Sequence, residues 1–335
     1  MAVGPADGRP TMAGMRAVIV NAHGGPEAFT LAETPEPVAG EGQVLVRVAV
    51  SGINFIDVYH RIGLYPLALP FRAGVEGVGV ITAVGAGVTD LAVGQRVGWL
   101  NGGQGSFSDL VAVAARSAVP LPDGVDDVTA VALLMQGITA HYLATGTYPI
   151  KPGDVALVHA AAGGVGQLLV QIIKHLGGTV IATASSEAKR ELVRGLGADH
   201  VIPYEGFADT VRSLTDGRGV DVVYDGVGAS TSEGSMASLC VRGTLVFFGN
   251  ASGPVPPLDV TRLSGLGSIF ITRPTVAHYA RTAEELRARA ADLFSWVQGG
   301  VLRVAQPTRY DVTDVVAAFT ALESRATTGK LVLMH

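Results

Sequence analysis

The chain reads as an α/β protein in two parts: a β-rich unit built from both ends of the sequence, with a doubly wound parallel sheet inserted between them. Three features lead there. Valines alternate with other residues over Gln43–Ser51, strand and helix patterns alternate from Val155 to Gly249, and a short apolar run, Leu331–Met334, closes the chain after two helices. The length of 335 residues fits two domains at about 150 residues each.

In chain order, residues 1–14 are glycine- and proline-bearing, lack the apolar core of a signal peptide, and read as a loose extension before a strand at Met15–Asn21. In Gln43–Ser51, Val44, Val46, Val48 and Val50 share one face, as in a half-buried strand. Gly74–Gly87 and Val93–Leu100 read as further short strands with glycine turns, which suggests a barrel or sandwich. Asp126 or Asp127 caps a helix over Val128–Thr145, and Lys151–Asp154 is a turn. Strands at Val155–Ala160, Thr179–Thr183, His200–Ile202, Val220–Asp225, Thr244–Gly249 and Ser268–Ile271 then alternate with helices at Gly164–Leu176, Glu187–Gly195, Phe207–Leu214 and Ser230–Cys240. That alternation makes a parallel sheet covered on both faces. After Pro274 come helices at Ala283–Gln298 and Val312–Leu322, and the terminal strand completes the first unit. The expected division is 15–135 with 275–335 for the β-rich unit, and 136–274 for the inserted one.

Hydrophobic residues are 48%, charged residues 16% and glycines 44, which excludes a disordered chain and a coiled coil. The net charge is −5 and no Lys/Arg run exceeds two residues, so no nucleic-acid partner is expected. The single cysteine, Cys240, rules out an intrachain disulfide and a four-cysteine zinc site, and suits a reducing cytoplasm. Mean hydropathy is +0.38. The uncharged stretch Val155–Ile173 holds three glycines within Ala162–Gly166, and Val128–Ile150 is broken by Gln136, Gly137, Gly146 and Pro149. Neither reads as a membrane span.

The most informative stretch leaves the first strand of the parallel sheet and enters a helix: His159-Ala-Ala-Ala-Gly-Gly-Val-Gly166. A dinucleotide fingerprint needs small residues at relative positions one, three and six, here Ala161, Gly163 and Gly166. The middle glycine admits a pyrophosphate, the last lets helix and strand approach, and the helix N-terminus offers N–H groups. The first position departs from the strict glycine pattern. The next strand ends in Ala184-Ser185-Ser186 with no carboxylate at its tip, followed by Lys189 and Arg190. Small hydroxyls with a cation favour a 2′-phosphate, hence NADPH, although Glu187 is chemically able to hold a ribose and keeps NADH open.

Taken together, Gly52-Ile-Asn-Phe-Ile-Asp57, Gly63-Leu-Tyr-Pro66, His159–Gly166, Val223–Gly228, Phe248–Gly253, Thr272-Arg-Pro274 and Glu323–Gly329 resemble the zinc-independent, zeta-crystallin-like quinone oxidoreductases of the medium-chain dehydrogenase/reductase superfamily. The resemblance runs over nearly the whole chain from Met15. It implies a GroES-like catalytic domain, a Rossmann domain, a homodimer, and hydride transfer from NADPH to a quinone. It places Asn54, Phe55, Tyr59 and Thr139 near the nicotinamide, and Gly163, Gly164 and Val165 at the pyrophosphate. Ser185, Lys189 and Tyr204 fall at the adenosine end, with Gly226, Phe248, Gly249 and Asn250 facing the cofactor. Arg325 would reach a phosphate or the partner subunit. Zinc relatives carry an early Cys and a Gly-His-Glu; here Asn54 and Gly74-Val75-Glu76 stand there, so no metal is expected.

Quinone reduction needs a flat apolar slot and a donor for the developing oxyanion. Tyr59 and Tyr65 are the best donors, Asn54 is able to donate through its amide, and Asp57 either orients a tyrosine or caps the helix after Asn54. Arg273 lines the substrate mouth or meets a partner subunit. His141, His159 and Cys240 read as structural. The same scaffold suits an enoyl or 2-alkenal double-bond reductase. A non-enzymatic cofactor- or RNA-binding crystallin-like role is a third reading, which the acidic balance disfavours.

Overall fold

A computed structural model describes residues 14–101, 103–324 and 326–335. Of the expected extension only Gly14 is described, and it opens the first strand, Gly14–Val20.

Gln43–Ile53 organises a seven-stranded sheet. Its predicted inward face is buried, with Val44, Val46, Val48 and Val50 all in the core. Burying a valine contributes about 1.5 kcal/mol or more, so a register slip that reversed this face would lose several times that. Gln43–Ile53 pairs antiparallel with Glu76–Val84 and Leu110–Ala114. Leu331–Met334 returns from the far end of the chain to pair antiparallel with Val50–Ile53, Leu331 opposite Ile53. A separate three-stranded sheet joins Gly14–Val20, Phe29–Pro35 and Phe71–Arg72.

The third sheet has six strands, all parallel, in the spatial order His200–Ile202, Thr179–Thr183, Val155–Val158, Val220–Asp225, Leu239–Phe247, Phe270–Thr272. Chain order reverses between Val155–Val158 and Val220–Asp225, so a crevice opens where residues 159–163 and 225–228 leave the sheet. The fifth strand starts earlier than expected, which puts Cys240 inside a strand rather than at a helix end.

The helix expected over Val128–Thr145 is interrupted. Asp126 caps it, accepting from Val128 and Thr129 N–H, but Asp127–Leu133 and Met135–Tyr142 are separate helices. The Met135 N–H donates to Glu76 Oε1 at 2.5 Å, and this capture accompanies the break at Leu134. Asp127–Thr147 is long and apolar enough to cross a membrane by composition, yet 78% of its most apolar window is buried inside the protein. This segment belongs to the core that runs from Val50 and Val78 through Ile138 to Ile172 and Val222, so the two large sheets share one interior.

Candidate active site

The crevice is lined first by the loop between Val155–Val158 and the helix Gly164–His175. A Cβ on Gly166 would stand 2.5 Å from Ala160 O and 2.6 Å from the Ala161 Cα, so only glycine permits this closeness of helix and loop. Three bonds hold the loop, the first and third of them from residues distant in the chain. Ala160 N–H donates to Tyr204 Oη at 2.9 Å, Gln167 Nε2 donates to Ala162 O at 2.8 Å, and Gly329 N–H donates to Ala162 O at 3.1 Å. Gly163, Gly164 and Val165 remain partly exposed at the helix start. Gln136, from the helix that also carries half-buried Thr139, lies so close to Gly164 that a Cβ there would be 1.8 Å from its Oε1.

Beneath this loop runs a buried polar chain. Thr183 Oγ1 lies 2.9 Å from His159 Nδ1 and Ser235 Oγ 3.0 Å from Nε2. Ser235 and Thr231 hydroxyls donate to Asp225 Oδ2, each at 2.7 Å. Asp225 Oδ1 accepts Val227 and Gly228 N–H. Burial drives the His159 pKa well below that of a free imidazole, with Asp225 opposing, so the ring is neutral. His159 thus braces the crevice from below.

At the second strand tip, Ser185 is exposed and Ser186 caps Glu187–Gly195. Glu187, the carboxylate that kept a ribose partner open, is bound by Arg190 and Arg194 of its own helix. Lys189 is partly buried, and desolvation lowers its pKa.

On the opposite wall, Asn54 begins the helix Phe55–Arg61. Tyr59 from that helix receives the Asn250 N–H on its Oη at 3.0 Å, which brings a phenol to the rim of the parallel sheet. Its ring meets Tyr65 edge-on at 5.2 Å, and the Phe55 ring lies tilted 6.3 Å from it. Arg273 donates to Tyr65 Oη at 3.3 Å. The Phe248 ring covers Gly226 so closely that a Cβ there would be 2.8 Å from it, while a Cβ on Gly249 would be 2.5 Å from Gly226 O. Arg325 lies outside the described residues.

Two assigned roles need correction. Asn54 is not free to donate to a substrate: Nδ2 donates to Glu76 Oε2 at 2.8 Å and to Gly52 O at 3.3 Å, while Oδ1 accepts from Lys330 Nζ at 2.9 Å. Asp57 accepts the Asn54 backbone N–H on Oδ2 and so caps the helix; it orients neither tyrosine. Its other oxygen is buried without a partner, and burial pushes its pKa up to about 7 against the pull of Asn54 N–H and Lys330.

Comparison with known proteins accounts for this arrangement. A GroES-like alcohol dehydrogenase domain model matches residues 40–123, and a zinc-binding dehydrogenase model matches 164–296. A Pseudomonas aeruginosa quinone oxidoreductase is 43% identical over 316 residues, covering 93% of this chain and 97% of that protein. The chain belongs to the quinone oxidoreductase branch of the medium-chain dehydrogenase/reductases. The Escherichia coli quinone oxidoreductase, solved in complex with NADPH, superposes with a TM-score of 0.92 at 37% identity, covering 96% of this chain and all of that one. A 2-haloacrylate reductase from Burkholderia sp. is 39% identical, covering 95% of this chain and 98% of that protein.

Zinc, named in one of the family models, does not fit this member of the branch. Glu76 already accepts from Lys330 Nζ, Asn54 Nδ2 and Met135 N–H, and an ammonium in contact with the carboxylate opposes a divalent cation. Among the described residues no three His, Cys, Asp or Glu side chains converge as metal ligands.

Sequence reasoning missed Lys330 and Gln136, and used Glu76 only to argue against zinc. One signal was available: Lys330 is one of four lysines in the chain and directly follows Gly329.

Proposed function

We propose that the protein is an NADPH-dependent quinone reductase. The observation that carries this reading is the Tyr59 contact with Asn250. It sets a phenol beside the crevice with its oxygen already accepting one N–H, so that its own O–H can serve a developing quinone oxyanion. NADPH, when bound, supplies the hydride. The residues fit it: Gly163, Gly164 and Val165 for the pyrophosphate, Ser185, Lys189 and Tyr204 for the 2′-phosphate end, and Phe55, Tyr59, Thr139, Phe248, Gly249 and Asn250 for the nicotinamide side. Tyr59 and Tyr65 act as donors, and Arg273 sits at the substrate mouth. The catalytic unit is 15–135 with 275–335, and the nucleotide unit 136–274. Cys240, the sole thiol, suits a cytoplasmic setting.

The 39% identical 2-haloacrylate reductase favours one second reading, reduction of a conjugated carbon–carbon double bond with the same hydride delivery. Steady-state assays with 1,2-naphthoquinone, 1,4-benzoquinone and a 2-alkenal separate the two. The expected result is a higher kcat/KM for the quinones; a much higher value for the alkenal reverses the order. In nicotinamide fluorescence titrations NADPH should bind about tenfold more tightly than NADH, and Lys189→Ala should erase the difference. Equal affinities in the parent protein reject the 2′-phosphate site.

A homodimer is also proposed, joined along the open side of Phe270–Thr272, the last strand of the parallel sheet. Phe270 is 61% exposed there, with exposed Val241 and Val260 in neighbouring segments. Sedimentation equilibrium should report the mass of two chains, and Phe270→Asp the mass of one. A parent that sediments as one chain ends this proposal.

A further inference from the structure

We propose that Lys330 is a positioning residue for hydride transfer, because it and its neighbour Gly329 tie the pyrophosphate loop to the Asn54 turn, which starts the helix that carries Tyr59. The inference rests on the NADPH-dependent reading above and concerns a residue with no place in the reaction as described there.

Lys330 is almost fully buried, 2% exposed at its side chain, and Glu76 is completely buried. The ammonium donates to Glu76 Oε2 at 2.5 Å and to Asn54 Oδ1 at 2.9 Å. With Asn54 Nδ2 donating to the same Glu76 oxygen, the amide is locked in one orientation; a flipped amide would turn N–H toward the ammonium. Asn54 is also the N-cap of the helix bearing Tyr59, and its backbone N–H is held by Asp57. The other Glu76 oxygen takes Met135 N–H, at the start of the helix that carries Gln136 and Thr139. One residue before the lysine, Gly329 donates to Ala162 O and faces Gly163 in a parallel bridge. One residue after it, Leu331 pairs with Ile53.

Residues 329–331 therefore touch the pyrophosphate loop, the Asn54 turn and, through Glu76, the Thr139 helix. Gly52 shows how little slack remains: a Cβ there would fall 2.0 Å from Glu76 Oε2 and 2.9 Å from Lys330 Cε. A buried ion pair is weak support for stability, since uncharged side chains of the same shape often do as well. What an ammonium adds is direction, because its donors fix two acceptors at once. A displacement of about 1 Å at the reacting centre costs about 100-fold in rate, so this direction acts on catalysis more than on folding.

The test is the double variant Lys330→Met/Glu76→Gln, which removes both charges at nearly constant volume, measured beside Lys330→Met and Lys330→Arg. The double variant should melt cooperatively near the parent, bind NADPH within about threefold of it, and lose about 100-fold in kcat for quinone. Lys330→Arg should recover part of the kcat that Lys330→Met loses. A folded double variant with kcat within about threefold of the parent overturns the proposal. So does a loss confined to NADPH affinity, which would make Lys330 a cofactor ligand, and so does failure of the double variant to fold, which would make the cluster structural. Turnover of the parent in the same assay reports separately on the quinone reductase reading.

Discussion

Gly166→Val should abolish useful NADPH binding while leaving a protein that still folds, less stably. The added Cβ alone would lie 2.5 Å from Ala160 O and 2.6 Å from the Ala161 Cα, both backbone atoms that no rotamer change can clear. The helix Gly164–His175 must back away from the loop. Overpacking of this kind costs about 1–3 kcal/mol. Moving the helix start also pulls N–H groups away from the pyrophosphate, and losing one such charge-assisted bond weakens binding by about 10- to 100-fold. Fluorescence titration and a thermal melt read the two effects. Gly195→Ala is the matched control, since a Cβ there meets nothing within 4 Å. Parental affinity in Gly166→Val would mean that this helix start does not hold the cofactor.

Asp225→Ala should give the largest stability loss of any single change near the crevice, about 3 kcal/mol or more in denaturant unfolding. The completely buried carboxylate accepts from Val227 N–H, Gly228 N–H, Thr231 and Ser235. The two hydroxyls can rotate toward other acceptors, but the two backbone N–H groups cannot, and each unpaired buried donor costs about 1–3 kcal/mol. Asp225→Asn keeps an oxygen for them and should lose less; equal losses for Ala and Asn would sink the argument. Two histidines add acid sensitivity: His159, which belongs to this network, and His335, whose Nε2 lies 2.8 Å from Ser51 Oγ in the β-rich unit. His159 and His335 are both held below the ordinary imidazole range by burial, His335 down to about 4. As pH falls from about 6.5 toward 4, the unfolded chain takes up protons that these folded histidines refuse, so both contribute stability that is lost with acidification. Asp57, raised to about 7, works in the opposite sense over the same window, because the folded state keeps its proton. Two histidines against one carboxyl leave a net loss on acidification from these three groups.

The parallel sheet was readable because each strand and helix announces itself within ten or so residues, and the terminal strand because Leu331–Met334 is apolar throughout. The phosphate loop was readable because Gly166 is needed for local sterics. What escaped were contacts between residues distant in the chain. The Lys330–Glu76 pair spans a separation of 254 residues and has no periodic signature. Misreading Asn54 as a substrate donor, and the two helices around Leu134 as one, share that cause: the carboxylate of Glu76 claims both the Asn54 amide and the Met135 N–H. Asp57 was ambiguous for a different reason, since a capping carboxylate and a catalytic one occupy the same place in sequence.

The late return of Leu331–Met334 sets an order on biogenesis. During translation every strand of the parallel sheet has been made by Thr272, so that sheet can begin to assemble while the ribosome is still at work. The β-rich unit must wait with Val50–Ile53 unpaired on that side until Leu331–Met334 emerges. Because Gly329 and Lys330 arrive in the same moment, a nascent chain can own a nucleotide fold well before it owns a working catalyst.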